Sequence, residues 1–113
     1  MLRFVAQTLI ANSRPFDLYG RWGGEEFLGI IRNISSDDLA RLGDRLRILI
    51  EHSYIIHEGK KLHVTVSLGA TSVRAEDAPE SLIKRADTLL YKSKGMGRNR
   101  LSIDSGTWAV CPE

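Results

Sequence analysis

The residues best suited to chemistry in this chain are two adjacent carboxylates, Glu25 and Glu26, directly behind Gly23-Gly24. Glycines at such a point let the backbone turn tightly with φ > 0 and let a ligand approach it closely. Paired carboxylates suit a hard cation such as Mg²⁺, which is usually held by one or two carboxylates together with substrate phosphates. Two solvated hairpin side chains are the plain alternative. A second group is cationic: Lys94 and Arg98, with Lys92 and Arg100 close by, bracket a glycine-broken helix end and have the chemistry to hold a nucleotide phosphate. Cations favour helix C-termini in any case, so that spacing has an ordinary explanation too. Arg14 and Asp17, read from spacing alone, are a candidate local ion pair worth roughly 0–1 kcal/mol and nothing more. His52, His57 and His63 lack a metal-ligand spacing and read as surface or strand residues.

These groups must be positioned by elements that the hydrophobic periodicity predicts. Leu2, Val5, Ala6, Leu9 and Ile10 make one stripe of an amphipathic helix over residues 1–13, and Pro15 ends it by biasing Arg14 away from helical geometry. Residues 17–22 and 27–31 read as two strands joined by a Gly-Gly turn. A second helix starts near Ser35-Ser36-Asp37-Asp38 and turns Leu39, Leu42, Leu46, Leu49 and Ile50 inward, with Arg41, Arg45 and Arg47 nearer its exposed side. Residues 54–57 form a short strand, 58–60 a turn, and 62–71 a strand in which Val64, Val66, Leu68 and Ala70 alternate. Pro79 opens a third helix with Leu82, Ala86, Leu89 and Leu90 on its core face, stopped by Gly95 and Gly97. Residues 99–103 suit one more strand, and 105–113 show no readable pattern.

At 113 residues the chain is of one-domain size, enough to bury roughly two-thirds of its unfolded surface. No run approaches the ~18 apolar residues of a membrane-spanning helix. Sixteen basic against fourteen acidic residues, a net charge of +2, argue against bulk nucleic-acid binding. Cys111 is the lone cysteine, which excludes an internal disulfide and zinc-type cysteine pairs and suits a reducing cytoplasm, the expected location.

The run Arg21-Trp22-Gly23-Gly24-Glu25-Glu26-Phe27 resembles the signature of the GGDEF family of diguanylate cyclases in its GGEEF spelling. The likeness extends to Leu2-Arg3-Phe4-Val5-Ala6, Arg14 to Asp17, Thr65-Val66-Ser67-Leu68-Gly69-Ala70, Ala86-Asp87, Leu90-Tyr91-Lys92-Ser93-Lys94 and Gly97-Arg98-Asn99-Arg100, in the family's order. This resemblance implies an α+β, ferredoxin-like nucleotidyl-cyclase fold, an antiparallel sheet with helices, over residues 1–104, with 105–113 as a tail. It implies the condensation of two GTP into cyclic di-GMP with Mg²⁺ or Mn²⁺ in a head-to-head homodimer. Glu25 then matches the catalytic and metal-binding carboxylate, Gly23 and Gly24 the backbone that approaches the nucleotide, and Lys94 and Arg98 the phosphate-binding pair. Arg14 and Asp17 match the family's RxxD product-inhibition site, and Arg45 falls where the family often adds an arginine to bound cyclic di-GMP. The resemblance also places the first residue in a helix that the family precedes with a further third of the domain, including a central strand and guanine-reading residues. The expectation is therefore a fragment with an open seam in its sheet, inactive alone as a cyclase. A non-catalytic module that binds cyclic di-GMP through the RxxD site is the alternative.

Overall fold

The computed structural model describes residues 2–15, 17–104 and 107–112, the last six by their backbone. Met1, Phe16, the 105–106 pair and Glu113 lie outside the described residues. The chain forms α1 (Leu2–Ala11), β1 (Leu18–Gly23), β2 (Glu26–Ile30), α2 (Ser36–Glu51), β3 (Ile55–His57), β4 (Lys60–Leu62), β5 (Val66–Thr71), α3 (Pro79–Gly95), β6 (Leu101–Ile103) and β7 (Thr107–Pro112).

Local chemistry accounts for most of the boundaries. The Ser35 hydroxyl accepts a hydrogen bond from the Asp38 amide and caps α2, whose first turn carries Asp37 and Asp38 at its positive end. Pro79 sits in the first turn of α3, where a missing N–H costs nothing. Beyond α3 the Arg98 amide reaches back to the Ser93 carbonyl at 3.0 Å, and Gly97 takes φ +115°, so the helix is closed by a left-handed turn. The β3–β4 hairpin turns on Glu58 and Gly59, both at positive φ (52° and 76°), as a two-residue hairpin loop requires.

The main sheet runs in the order β1-β2-β7-β5-β6 and is antiparallel except for the short parallel pairing of β5 with β6. Every residue of β5 is buried, because helices cover both faces of this strand. Val66, Leu68 and Ala70 join Val5 and Leu9 of α1 and Leu39, Leu46 and Ile50 of α2 in the core. The alternate positions Ser67, Gly69 and Thr71 face the other way, and Gly69 lies directly beneath the α3 backbone at Ala86 and Leu90.

Several expectations are corrected by packing. The single strand expected over 62–71 is two, β4 and β5, because residues 60–62 pair with β3 in a separate two-stranded sheet. Leu49 and Ile10, expected to face the core, are 41% and 67% exposed; each lies at the margin of its helix's apolar stripe. The seam expected to be open is bridged: β7, from the segment without a readable pattern, pairs with β2 on one side and β5 on the other. No helix among the described residues is long and apolar enough to cross a membrane.

Candidate functional site

The hairpin β1–β2 presents the carboxylate signature at its tip. Pairing runs from Leu18↔Ile30 to Arg21↔Phe27, then shifts so that Gly23 pairs with Glu26. The bulge at Trp22 moves the turn one residue along from the expected Gly23-Gly24, and Glu25 sits within the turn itself. Gly24 takes φ +50°, a conformation that a Cβ disfavours. At Gly23 the constraint is different: an added Cβ would meet nothing within 4 Å, so the backbone there is open to an approaching ligand. The Arg21 guanidinium holds the turn by donating to the Gly24 carbonyl from Nε (3.0 Å) and Nη2 (2.8 Å). That clamp was not visible in the sequence, since the strand register is what brings Arg21 to the turn.

Glu25 is exposed and, among the described residues, makes no hydrogen bond or ion pair. No cluster of three or more His, Cys, Asp or Glu suited to a metal occurs among the described residues. At the hairpin tip Glu25 therefore offers an exposed hard-oxygen donor, and no all-protein cage occurs among the described residues. Such a donor set fits a Mg²⁺-like ion that arrives with nucleotide phosphates and takes one carboxylate from the protein.

Lys94 lies in the last turn of α3 and Arg98 in the turn that follows, at φ +63°. The register relates them to the hairpin. Phe27, Val110 and Leu68 stand side by side across β2, β7 and β5, and the Leu68 carbonyl accepts from the Ser93 hydroxyl at 2.7 Å. Glu25 comes just before Phe27, and Lys94 and Arg98 just after Ser93. Hairpin tip, start of β5 and end of α3 thus share one end of the sheet, with the hairpin and β5 two strand spacings, about 10 Å, apart.

The second expected group divides. Arg14 and Arg45 line one cleft of about 250 Å³ with Asn12, Ile34, Asp38, Arg41 and Leu42. Arg41, assigned in the sequence only to an exposed helix side, is a third arginine of that cleft, one helical turn from Arg45. Asp17 does not line it. Its side chain is buried, accepts from the Arg14 amide at 2.9 Å and pairs with the Arg14 guanidinium at 3.4 Å, while Arg14 Nη2 donates to the Arg32 carbonyl at 2.6 Å. Asp17 therefore orients Arg14. Burial, and then the Asp17 charge, push the neighbouring Tyr19 hydroxyl up to about 12, with Arg14 and Arg45 opposing.

A separate cavity of about 400 Å³ lies between α1 and β1 on the flank of the hairpin, walled by Ala6, Leu9, Ile10 and Phe27 with Arg3 and Arg21. Its volume is in the range of small-molecule sites, and it was not anticipated from sequence because it depends on how α1 crosses the sheet.

Comparison with known proteins places these features in a family. The family model described as "Diguanylate cyclase, GGDEF domain" matches residues 1–100. Diguanylate cyclase A of Treponema denticola is 36% identical over 104 residues, covering 91% of this chain and 28% of the relative. Response regulator PleD of Caulobacter vibrioides is 39% identical over 102 residues, covering 88% and 22% respectively. The chain thus spans about a quarter of these relatives' length. In structure it is similar to the GGDEF domain of DgcB from Caulobacter crescentus in complex with c-di-GMP, with TM-score 0.86, 28% identity, and coverage of 90% of this chain and 61% of that one. It is also similar to diguanylate cyclase SiaD in complex with its activator SiaC from Pseudomonas aeruginosa, with TM-score 0.83, 30% identity, and coverage of 88% and 38%. The signature hairpin, the α+β fold and the family match over residues 1–100 agree, and the chain belongs to the GGDEF family of diguanylate cyclase domains.

Proposed function

We propose that this chain supplies the signature hairpin and the phosphate-binding helix end of a diguanylate cyclase, which joins two GTP into cyclic di-GMP with release of two pyrophosphates. The observation that carries the reading is the common end of the sheet shared by Gly23, Gly24 and Glu25 with Lys94 and Arg98, in a chain matched to the family over residues 1–100. Each protomer of a homodimer holds one GTP, and each 3′-hydroxyl attacks the α-phosphate of the other nucleotide. Lys94 and Arg98 hold the phosphates, and the open backbone at Gly23 lets the nucleotide lie against the turn. Glu25 accepts the proton of the attacking hydroxyl and is the protein ligand for a divalent cation. When bound, that cation, Mg²⁺ or Mn²⁺, offsets charge on the phosphates. The Arg21 clamp fixes the turn that carries Glu25, and such positioning supplies much of the rate in chemistry of this kind.

The test is calorimetric titration of the chain with GTP, in separate Mg²⁺ and Mn²⁺ arms, followed by a chromatographic search for cyclic di-GMP. Binding weakened by Lys94→Ala with Arg98→Ala, and by Glu25→Gln in the metal arms, supports the reading. No binding in either arm overturns it. Formation of cyclic di-GMP extends it from substrate binding to catalysis by this chain alone.

The arginine cleft favours a second reading, a module that binds cyclic di-GMP without making it. Arg14, Arg41 and Arg45 present three guanidinium forks around one cleft, suited to phosphates and guanine edges. Titration with cyclic di-GMP beside Arg14→Ala decides it: binding that the substitution abolishes supports a receptor, and no binding removes the reading.

A further inference from the structure

The turn that carries Arg98 is conformationally demanding. Gly97, Arg98 and Asn99 take φ +115°, +63° and +47° in succession, and only the first is a glycine. Left-handed geometry at residues with a Cβ is sparsely populated and persists only where surrounding contacts over-determine it. For Arg98 part of the hold is its own backbone: the amide donates to the Ser93 carbonyl at 3.0 Å, and the carbonyl accepts from Arg100 Nε at 3.1 Å. Beyond it, the Arg100 carbonyl accepts from the Leu68 amide at 2.9 Å and ties the segment to β5.

Asn99 is gripped by side chains from a different element. Its carboxamide oxygen accepts from Arg47 Nη1 at 3.3 Å, and its carboxamide nitrogen donates to Glu51 Oε2. A guanidinium only donates and a carboxylate only accepts, so the two partners allow the amide one orientation. Arg47 in turn pairs with Glu51 at 3.7 Å, and its Nε donates to Asp44 at 3.3 Å. Asp44, Arg47 and Glu51 are spaced by three and four residues along α2, which puts them on one helix face. With side chains 21% and 31% exposed, Arg47 and Glu51 are screened less than a fully solvated pair. The end of α2 therefore holds the turn that follows α3.

We propose that Arg47 and Glu51 are positioning residues for phosphate binding: through the Asn99 carboxamide they lock the left-handed turn that aims the Arg98 guanidinium at the nucleotide. The inference rests on the reading of Lys94 and Arg98 as the phosphate-binding pair, and it adds a support that lies outside that pair's own element. The two cations differ in what carries them. Lys94 stands in the last turn of α3, where the helix's own hydrogen bonds fix its backbone. Arg98 stands past the helix end, in a turn whose next residue is fastened by α2. Loss of the grip on Asn99 frees Arg98 to leave its left-handed conformation, so the guanidinium must be ordered again each time phosphate binds.

Calorimetric titration with GTP and Mg²⁺ tests this in a cycle with Arg98. Glu51→Ala is expected to weaken GTP binding about tenfold, a scale typical of coupling within one hydrogen-bond network. Glu51→Gln, whose amide oxygen still accepts from Asn99, is expected to restore the parental affinity. Asn99→Gly tolerates φ +47° and removes only the grip; it is expected to match Glu51→Ala, and the two together to bind no more weakly than either. In an Arg98→Ala background Glu51→Ala is expected to change nothing further, whereas beside Lys94→Ala it keeps its full effect. Parental affinity in Glu51→Ala and Asn99→Gly overturns the proposal. So does equal weakening by Glu51→Gln and Glu51→Ala, or an effect of Glu51→Ala that persists undiminished in the Arg98→Ala protein, since that marks a general loss of structure. Should the parent chain bind no GTP, or Arg98→Ala leave its binding unchanged, the phosphate-site reading fails and the proposal with it; weakening by Arg98→Ala beside an inert Glu51→Ala removes the proposal alone. If circular dichroism shows Glu51→Ala unfolded, Asn99→Gly completes the same cycle with Arg98→Ala.

Discussion

Replacing Gly69 by alanine tests how closely the sheet and its phosphate-side helix must fit. A Cβ built at Gly69 would lie 2.2 Å from the Leu90 nitrogen, 2.4 Å from the Ala86 oxygen and 2.8 Å from the Leu89 carbonyl carbon. These are backbone atoms of α3, so no side-chain rotation relieves the overlap. Ordinary carbon contacts need roughly 3.5 Å, and α3 must therefore lift from β5 by about 1 Å. Overpacking of this kind costs about 1–3 kcal/mol. The same movement stretches the bond from the Ser93 hydroxyl to the Leu68 carbonyl, now 2.7 Å, worth about 1 kcal/mol more. The expected loss is about 2–4 kcal/mol by urea denaturation, together with weaker GTP binding, because Lys94 and Arg98 travel with the helix. Gly43→Ala is the control: there the Cβ meets the flexible Leu101 side chain at 3.2 Å, and the ~0.5–1 kcal/mol gained by removing a helical glycine offsets it. A Gly69→Ala protein within about 0.5 kcal/mol of the parent would refute the reasoning, since it would mean that α3 does not rest on β5 at this point.

Three further outcomes follow from other contacts. Arg85 holds Asp77 by two hydrogen bonds, 2.9 and 2.6 Å, and this, followed by the Arg74 amide, keeps the Asp77 carboxyl well below the usual carboxylate range. A lowered folded-state value contributes stability that is present above the unfolded value of about 3.9 and is lost as pH falls below it. Asp77→Asn should therefore flatten the fall in urea midpoint between about pH 4 and pH 2, and an unchanged acid limb would remove the pair as its cause. Ser93 is fully buried and its hydroxyl also meets the Ser102 hydroxyl at 2.7 Å; Ser93→Ala is expected to cost about 1–3 kcal/mol in thermal or urea unfolding, and Ser93→Cys to recover only part of it. In the arginine cleft, Arg41→Ala should weaken cyclic di-GMP binding about tenfold, or about 1.4 kcal/mol, beside an unchanged GTP titration; an unchanged cyclic di-GMP isotherm would exclude Arg41 from that site.

What the sequence disclosed and what it withheld separate by the range of the determinant. The α2 cap, the Pro79 start of α3 and the Glu58-Gly59 turn are set by residues within one helical turn, and each stands where local chemistry predicts. The signature hairpin was legible for the same reason, yet its turn lies one residue later, because the Trp22 bulge is a property of the pairing with β2 and not of either strand alone. Arg14 and Arg45 were matched to one site by resemblance, and the Arg14–Asp17 pair, three residues apart, was legible as a local ion pair; that Arg41 joins the two arginines in one cleft depends on how α2 packs, which no spacing encodes. The least legible element is the one with most long-range pairing. Thr107-Trp108-Ala109-Val110-Cys111-Pro112 has no alternation to mark it as a strand, and Pro112 at its end removes one ladder donor. Its place follows from demand elsewhere: β2 and β5 each leave a row of backbone groups facing the same gap, and a segment with β-favouring Thr107, Trp108 and Val110 but no readable pattern becomes a central strand because those groups are costly to leave unpaired.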